Sequence, residues 1–206
     1  MKLVRGLTLE QIIDGLRKND PGLQKRFPLH ARLEIFLKVC DAIAFAHSRG
    51  IIHLDLKPDN IQVGEYGEVL VLDWGIARRV GDVEPDIPAS PKLSASAGVT
   101  MDGVIRGTPD YMAPEQASGQ NSRRGLWTDI YSLGAILYTL ITLHTPYEGR
   151  SMEEILQNVM TGGITPLSLK DGRRVPAPLE FIVLRAMALS PERRYPSVQA
   201  LREDII

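Results

Sequence analysis

Apolar residues in the first quarter of the chain recur with the spacing of amphipathic helices. Between residues 33 and 47 they form one stripe at about 3.6 residues per turn, and Gly50 follows where such a helix could end. Thr8 and Gln11 form a capping box, which predicts that a shorter helix begins here. The Asn-Asp-Pro-Gly cluster at residues 19–22 is expected to end that shorter helix.

Two later stretches have the composition of strands and loops. Residues 61–63 and 69–72 are short apolar runs on either side of Gly-Glu-Tyr-Gly, a pattern that predicts an antiparallel hairpin. Residues 81–103 are rich in proline and serine and lack any sustained periodicity. We expect them to form a long mobile loop.

The second half of the chain is dominated by helical patterns. Residues 129–142 are apolar almost all round, which predicts a central helix that other elements cover on every side. A capping box at Ser151 and Glu154 starts the next helix, and the Gly-Gly pair at 162–163 ends it. Two more helical patterns follow, at residues 179–188 and 197–205. This half is therefore expected to be a helical bundle.

Length and composition are those of an ordinary globular domain. The 206 residues are 44% hydrophobic and 24% charged, which excludes wholesale disorder, a collagen-like repeat and a coiled coil. The 24 Lys and Arg against 25 Asp and Glu leave a net charge of −1, so no overall field attracts nucleic acid or an anionic membrane. No nucleic-acid partner is expected.

Two features bear on the compartment in which the protein works. The apolar run at residues 133–143 is far shorter than the roughly 20 residues that cross a bilayer, and no apolar stretch of signal-peptide length opens the chain. The single cysteine, Cys40, cannot form an internal disulfide and is expected to be buried. We expect a cytoplasmic protein with no membrane segment in these residues.

The candidate chemistry lies in the polar segment before the predicted hairpin. Residues 53–60 read His-Leu-Asp-Leu-Lys-Pro-Asp-Asn, which places acids, an amide and a cation in one non-helical loop. The hairpin folds the chain back, so Asp73, which is 13 residues after Asn60, is expected to return beside it as a second oxygen ligand. Such oxygens suit Mg²⁺, and Lys57 would add positive charge for a phosphate.

Asp55 completes this group as a candidate general base. A carboxylate within hydrogen-bond reach can accept or orient the proton of an attacking hydroxyl. Taken singly, Asp55, Asn60 and Asp73 are also ordinary turn residues, and His53 is more often a hydrogen-bonded structural residue than a catalyst. Their combination in one loop and ribbon favours phosphoryl transfer.

Four motifs, in this order, resemble those of eukaryotic-type serine/threonine protein kinases. Residues 53–60 resemble the catalytic loop, and Asp-Trp-Gly at 73–75 resembles the magnesium-binding Asp-Phe-Gly signature. Residues 107–115 resemble the end of the activation segment, and residues 129–134 resemble the start of the central helix. The sequence of residues 63–75 is most similar to that of bacterial members of the family.

The resemblance implies an activity and a set of site residues. The activity is transfer of the γ-phosphoryl group of ATP, with Mg²⁺, to a serine or threonine hydroxyl of a protein substrate. The roles fall on four residues: Asp55 as the base, Lys57 on the phosphate, and Asn60 and Asp73 as metal ligands.

The resemblance runs through the whole chain but covers only part of a kinase. It implies a mainly α fold with a small β-hairpin, which is the large C-terminal lobe without the small N-terminal lobe. The backbone of Lys2 and Val4 would bond the adenine edge of ATP. A glycine-rich loop and a lysine that clamp ATP would have to come from a missing N-lobe or from a regulatory partner.

The resemblance also implies the segments of a partial kinase domain at 1–206. They are a hinge (1–7), a helical lobe (8–206), a catalytic loop (53–60) and an activation segment (73–115).

Two departures and one ion pair add to these expectations. Leu54 stands where many of these kinases have an arginine that pairs with a phosphate, so activation through that pair is not expected. Trp74 replaces the usual phenylalanine and is expected to pack against the core. Glu115 is expected to pair with Arg194 rather than with Arg193.

An alternative function stays open. The chain would then be a truncated, non-catalytic kinase-like module that serves as an interaction or regulatory surface.

Overall fold

The computed structural model describes residues 6–82 and 109–206, and in these residues the fold is mainly helical with small antiparallel sheets, as expected. Lys2, Val4 and most of the loop predicted at 81–103 lie outside the described residues. In chain order the elements are β1 (Gly6–Thr8), α1 (Leu9–Arg17), α2 (Pro21–Arg26), α3 (Leu29–Ser48), β2 (Ile51–Ile52), β3 (Ile61–Gly64), β4 (Val69–Val71), β5 (Arg78–Arg79), α4 (Pro114–Ala117), α5 (Leu126–Thr142), α6 (Met152–Thr161), α7 (Ala177–Ala186) and α8 (Val198–Glu203).

The first helix begins as predicted and is followed by a helix that was not predicted. The Thr8 hydroxyl accepts a hydrogen bond from the Gln11 N–H at 3.2 Å, and the Gln11 side chain accepts one from the Thr8 N–H at 2.9 Å. The capping box of α1 is therefore confirmed. The cluster at 19–22 ends α1 but also starts α2, because the Asp20 side chain caps that helix and Pro21 occupies its first turn.

The longest helix, α3, is confirmed and begins before the predicted stripe, at Leu29. Its buried face includes Phe36, Cys40 and Ile43. Burial raises the pKa of the Cys40 thiol, so this residue is an unreactive part of the core, as expected. Gly50 lies two residues past the helix with a φ of +68°, in the left-handed region that favours glycine.

Two small antiparallel sheets hold the polar loop at both ends. β3 and β4 form the predicted hairpin, with Ile61 opposite Val71, and β1 adds a third strand on the other side of β3. β2 and β5 form a separate pair, with Ile52 opposite Arg78. This second pair was not predicted, because strands of two residues leave no alternating pattern in a sequence. Since β2 precedes residues 53–60 and β3 follows them, both ends of the loop are fixed.

Helix α5 is the central element of the domain, as its apolar sequence predicts. Every residue from 128 to 142 is buried, and α3 and α7 pack against the helix. A Cβ atom added to Gly134 would lie 2.8 Å from the Cβ of Ala186 in α7. The close approach of α5 and α7 therefore requires a residue without a side chain at this position.

The last three helices complete the predicted bundle. Ser151 caps α6 by accepting a hydrogen bond from the Glu154 N–H at 3.2 Å. The capping box expected there is only half formed, because the Glu154 carboxylate accepts from the Arg150 N–H instead of from Ser151. Among residues 6–82 and 109–206, no helix has both the length and the apolar character needed to span a bilayer.

Candidate active site

The backbone of residues 53–60 is anchored on the first turn of α5. The fully buried carboxylate of Asp129 accepts hydrogen bonds from the N–H groups of His53 and Leu54, at 2.8 and 2.9 Å. The Nε2 atom of His47 lies 2.8 Å from the same carboxylate. Leu54 has a φ of +66°, a conformation that residues with a side chain rarely adopt. The loop keeps this shape because α5 supplies a buried acceptor for its backbone.

Asp55, Lys57 and Asn60 form one hydrogen-bonded group in this loop. The Lys57 ammonium donates to both carboxylate oxygens of Asp55, at 2.8 and 3.0 Å. The Nδ2 of Asn60 donates to the Asp55 backbone carbonyl at 2.8 Å and to its carboxylate at 2.9 Å. Both bonds use the amide nitrogen, so neither of them occupies the Oδ1 of Asn60. The Asp55 side chain is 30% exposed and can contact a molecule from solvent.

Asp73 follows β4, at the end of the hairpin that returns toward Asn60. The Leu72 N–H donates to the Asn60 backbone carbonyl at 2.8 Å, which places the residue before Asp73 directly against the loop. Asp73 itself is exposed and has a φ of +59°. Its Oδ1 accepts from the Gly75 N–H at 3.4 Å. The ribbon thus brings the residue before Asp73 against Asn60, and the roles of Asp73 and Asn60 as metal ligands stay predictions.

The described residues contain no preformed cluster of metal-binding side chains. Within residues 6–82 and 109–206, no group of three or more His, Cys, Asp or Glu side chains could hold a metal ion. A magnesium ion bound by Asn60 and Asp73 would therefore need phosphate and water oxygens to complete its coordination, which is the usual arrangement for this ion. Lys2 and Val4, the predicted adenine contacts, lie outside the described residues.

His53 connects the loop to the ribbon, the structural role that was predicted for it. Its Nε2–H donates to the Leu72 carbonyl at 3.1 Å, and its Nδ1 accepts from the Asp55 N–H at 3.2 Å, so the ring is neutral with its proton on Nε2. The Trp74 ring lies 4.4 Å from the ring of the buried His53 but is 39% exposed, so the expected packing against the core is only partial. The indole N–H donates to the Val71 carbonyl, which keeps the ring at the surface of the ribbon.

We expect the neutral His53 ring to make stability depend on pH. Burial lowers the pKa of His53 below its ordinary value of about 6.5. The folded chain then binds fewer protons here than the unfolded chain, so the stabilisation is complete above about pH 6.5 and is lost as the pH falls through the folded pKa. The difference in unfolding free energy between wild type and His53→Gln, measured in urea, should shrink from pH 7 to pH 5. A difference that is constant with pH would contradict this expectation.

A buried ion pair attaches α4 to the core of the domain. Arg194 donates to both carboxylate oxygens of Glu115, at 2.9 and 3.0 Å, and Thr128 donates to one of them at 2.9 Å. The expected partner of Glu115 is therefore confirmed, whereas Arg193 is exposed. The guanidinium also lies over the Tyr131 ring, 4.9 Å from its centre.

Three residues that support the site were not identified from sequence. Asp129 was predicted only as the start of the central helix. A carboxylate in an apolar helix is itself a signal, because a buried charge needs specific hydrogen-bond partners. His47 was assigned to the apolar stripe of α3. Gln116 directly follows the kinase-like motif at 107–115, and its side chain donates to the Leu54 carbonyl at 2.8 Å.

Comparisons with known proteins find similarity to protein kinases. The family described as "Protein kinase domain" matches residues 1–205. The chain is 40% identical over 211 residues to "Serine/threonine-protein kinase PknD" of Chlamydia abortus, 39% identical over 212 residues to the protein of the same name from Chlamydia pneumoniae, and 32% identical over 214 residues to that from Chlamydia trachomatis serovar D. These alignments cover 100%, 100% and 98% of the chain but only 22% of each relative.

Proposed function

The chain belongs to the protein kinase domain family, and from this premise we propose that the protein carrying it transfers the γ-phosphoryl group of ATP, with Mg²⁺, to serine or threonine hydroxyls of a protein substrate. The observation that carries the proposal is the contact of Asp55 with both Lys57 and Asn60, beside the strand end that bears Asp73. Phosphoryl transfer depends on positioning and charge, so a carboxylate that is held by a cation and by one candidate metal ligand, close to the residue before the second, supports it.

Asp55 is the proposed general base. Its carboxylate is partly exposed, and hydrogen bonds from Lys57 and Asn60 fix its orientation. It is therefore already oriented to accept the proton of a substrate hydroxyl. Lys57 holds the carboxylate on one side and would contact the transferred phosphate. Lysine at this place, in the arrangement Asp-x-Lys-x-x-Asn, resembles serine/threonine rather than tyrosine kinases, and the relatives reported above carry the name of serine/threonine kinases.

Asn60 and Asp73 are the proposed ligands of the metal. The donor chemistry fits Mg²⁺, since the Asn60 amide oxygen, which neither of the two Nδ2 bonds uses, and the exposed Asp73 carboxylate are both hard ligands. The ion would supply charge neutralisation for the phosphate oxygens. Lys2 and Val4 are the proposed contacts of the adenine through their backbone.

A second candidate function is a non-catalytic interaction module. Apolar side chains on both sides of Asp73 are exposed, and they favour a surface that another protein domain covers: Leu70, Leu72, Trp74 and Ile76. Such a module needs neither ATP nor magnesium, so a nucleotide titration separates the two candidates.

We expect ATP binding and phosphoryl transfer that depend on magnesium. Binding is measured by calorimetry in the natural protein that contains these 206 residues, with Mg²⁺ and with EDTA, and transfer is measured from labelled ATP to a basic serine-containing protein. Asp73→Asn should raise the Mg²⁺ concentration for half-maximal transfer by about tenfold or more. Asp82→Asn is the matched control, because Asp82 is also exposed and its carboxylate accepts from the Arg79 N–H at 3.2 Å, a bond that the asparagine oxygen can keep. Absence of ATP binding, with or without Mg²⁺, would reject the enzyme in favour of the module.

A further inference from the structure

Gln116 joins α4 to the loop that carries Asp55. Its Oε1 accepts a hydrogen bond from the Ala113 N–H at 3.1 Å, and its Nε2 donates to the Leu54 carbonyl at 2.8 Å. The opposite orientation of the amide would place donor against donor and acceptor against acceptor, so only one orientation satisfies both partners. One side chain therefore links two segments that lie 62 residues apart in sequence.

The bond to Leu54 acts on the peptide unit that leads into Asp55. The Leu54 carbonyl and the Asp55 N–H belong to the same planar peptide, so they can rotate only together. Gln116 holds the carbonyl, while the Nδ1 of His53 accepts from the N–H at 3.2 Å. Leu54 is also held at its own N–H by Asp129, and its φ of +66° persists only where contacts of this kind enforce it. The direction of Asp55 thus depends on the Gln116 amide.

The other end of this connection is rigid. Glu115, the residue before Gln116, is 5% exposed and bound by the Arg194 guanidinium through two hydrogen bonds. Ala113 is fully buried, and the Ser132 hydroxyl of α5 donates to the Tyr111 carbonyl at 2.8 Å. The α4 segment is therefore attached to the core independently of the loop, and it can serve as a support for it.

We propose that Gln116 is a positioning residue for Asp55, which couples the segment ending at α4 to the orientation of the loop at 53–60. Gln116 acts through the Leu54 carbonyl, to which its Nε2–H donates. The kinetic consequence rests on the proposed function, whereas the effect on the loop does not.

The test is Gln116→Glu, compared with Gln120→Glu. A carboxylate at 116 still accepts from the Ala113 N–H but can no longer donate to the Leu54 carbonyl, so the variant removes one bond and keeps the other. Gln120→Glu introduces the same charge four residues later, where the side chain accepts from Arg123 at 2.9 Å and a carboxylate can do the same. Gln116→Met, of similar length and uncharged, provides the loop test if the carboxylate prevents folding.

Two measurements on the natural protein that contains this chain decide the outcome. In spectra of protein labelled with ¹⁵N at leucine and aspartate, the Leu54 and Asp55 amide signals should shift in Gln116→Glu and stay in place in Gln120→Glu. The kcat for phosphoryl transfer should fall about ten- to a hundredfold, with the KM for ATP changed less than about twofold, because orientation rather than binding is lost.

Two outcomes would contradict the positioning role of Gln116. Amide signals that do not move in Gln116→Glu, or that move equally in Gln120→Glu, would overturn the inference whatever the activity. A raised KM with unchanged kcat would also overturn it. If the wild-type protein has no kinase activity, the proposed function fails, and the amide signals alone then decide whether Gln116 orients the loop.

Discussion

Asp55→Asn is expected to lower kcat for phosphoryl transfer by about 10²- to 10⁴-fold, because the substitution removes the proposed general base and keeps the size of the side chain. The asparagine oxygen can still accept from Lys57 or from Asn60, as the carboxylate does at 2.8 and 2.9 Å. The geometry of the group should therefore survive, and the affinity for ATP with Mg²⁺ should change little. Initial rates and calorimetric binding of the nucleotide measure the two effects separately.

Asp59→Asn is the matched control for this substitution. Asp59 lies in the same loop but is exposed, so the same change of charge there tests the electrostatic effect alone. Activity in Asp59→Asn should stay close to that of wild type. Full activity in Asp55→Asn would remove the assignment of the base, and equal losses in the two variants would attribute the effect to net charge.

Arg194→Leu is expected to reduce the free energy of unfolding by about 3–5 kcal/mol, because it leaves the Glu115 carboxylate buried without its counter-charge. The arginine also donates to the backbone carbonyls of Trp127, Ala188 and Leu189, at 2.8 to 3.1 Å. These acceptors would lose their donor in the same change. Urea unfolding followed by circular dichroism measures the difference.

Arg193→Leu tests whether the position or the loss of an arginine matters. Arg193 is adjacent in sequence but exposed, and exposed charges contribute little to stability. We expect a change of less than about 0.5 kcal/mol for this variant. If the two variants lose equal stability, the buried pair does not hold α4 to the core.

The long helices were predictable because burial along them repeats over many residues. The stripe between residues 33 and 47 predicts the buried face of α3, and the apolar run at 129–142 predicts that α5 is covered on all sides. Short elements were not predictable in this way. A two-residue strand such as β5 exists because β2 lies beside it, and α2 begins at a cluster that also has the composition of a turn.

The order of the polar motifs was sufficient to predict which residues of the loop lie together. Asp55, Lys57 and Asn60 are within five residues of one another, so local backbone geometry nearly determines their contact. The hairpin pattern likewise predicts that Asp73 returns toward Asn60. The partial exposure of Trp74 was not predictable, because it depends on how the ring packs on His53, which lies 21 residues earlier in the chain.

The order of the motifs, the long helices and the group of polar side chains at 53–60 were set by residue types and by spacings of a few positions along the chain. Tertiary structure alone decided how that loop is supported, through Asp129 and Gln116, whose bonds to it span 62 to 76 residues. The physical reason is that each of these bonds satisfies a backbone group of the loop only after α4 and α5 have packed into place. No local pattern encodes a contact whose two partners meet only in the folded protein.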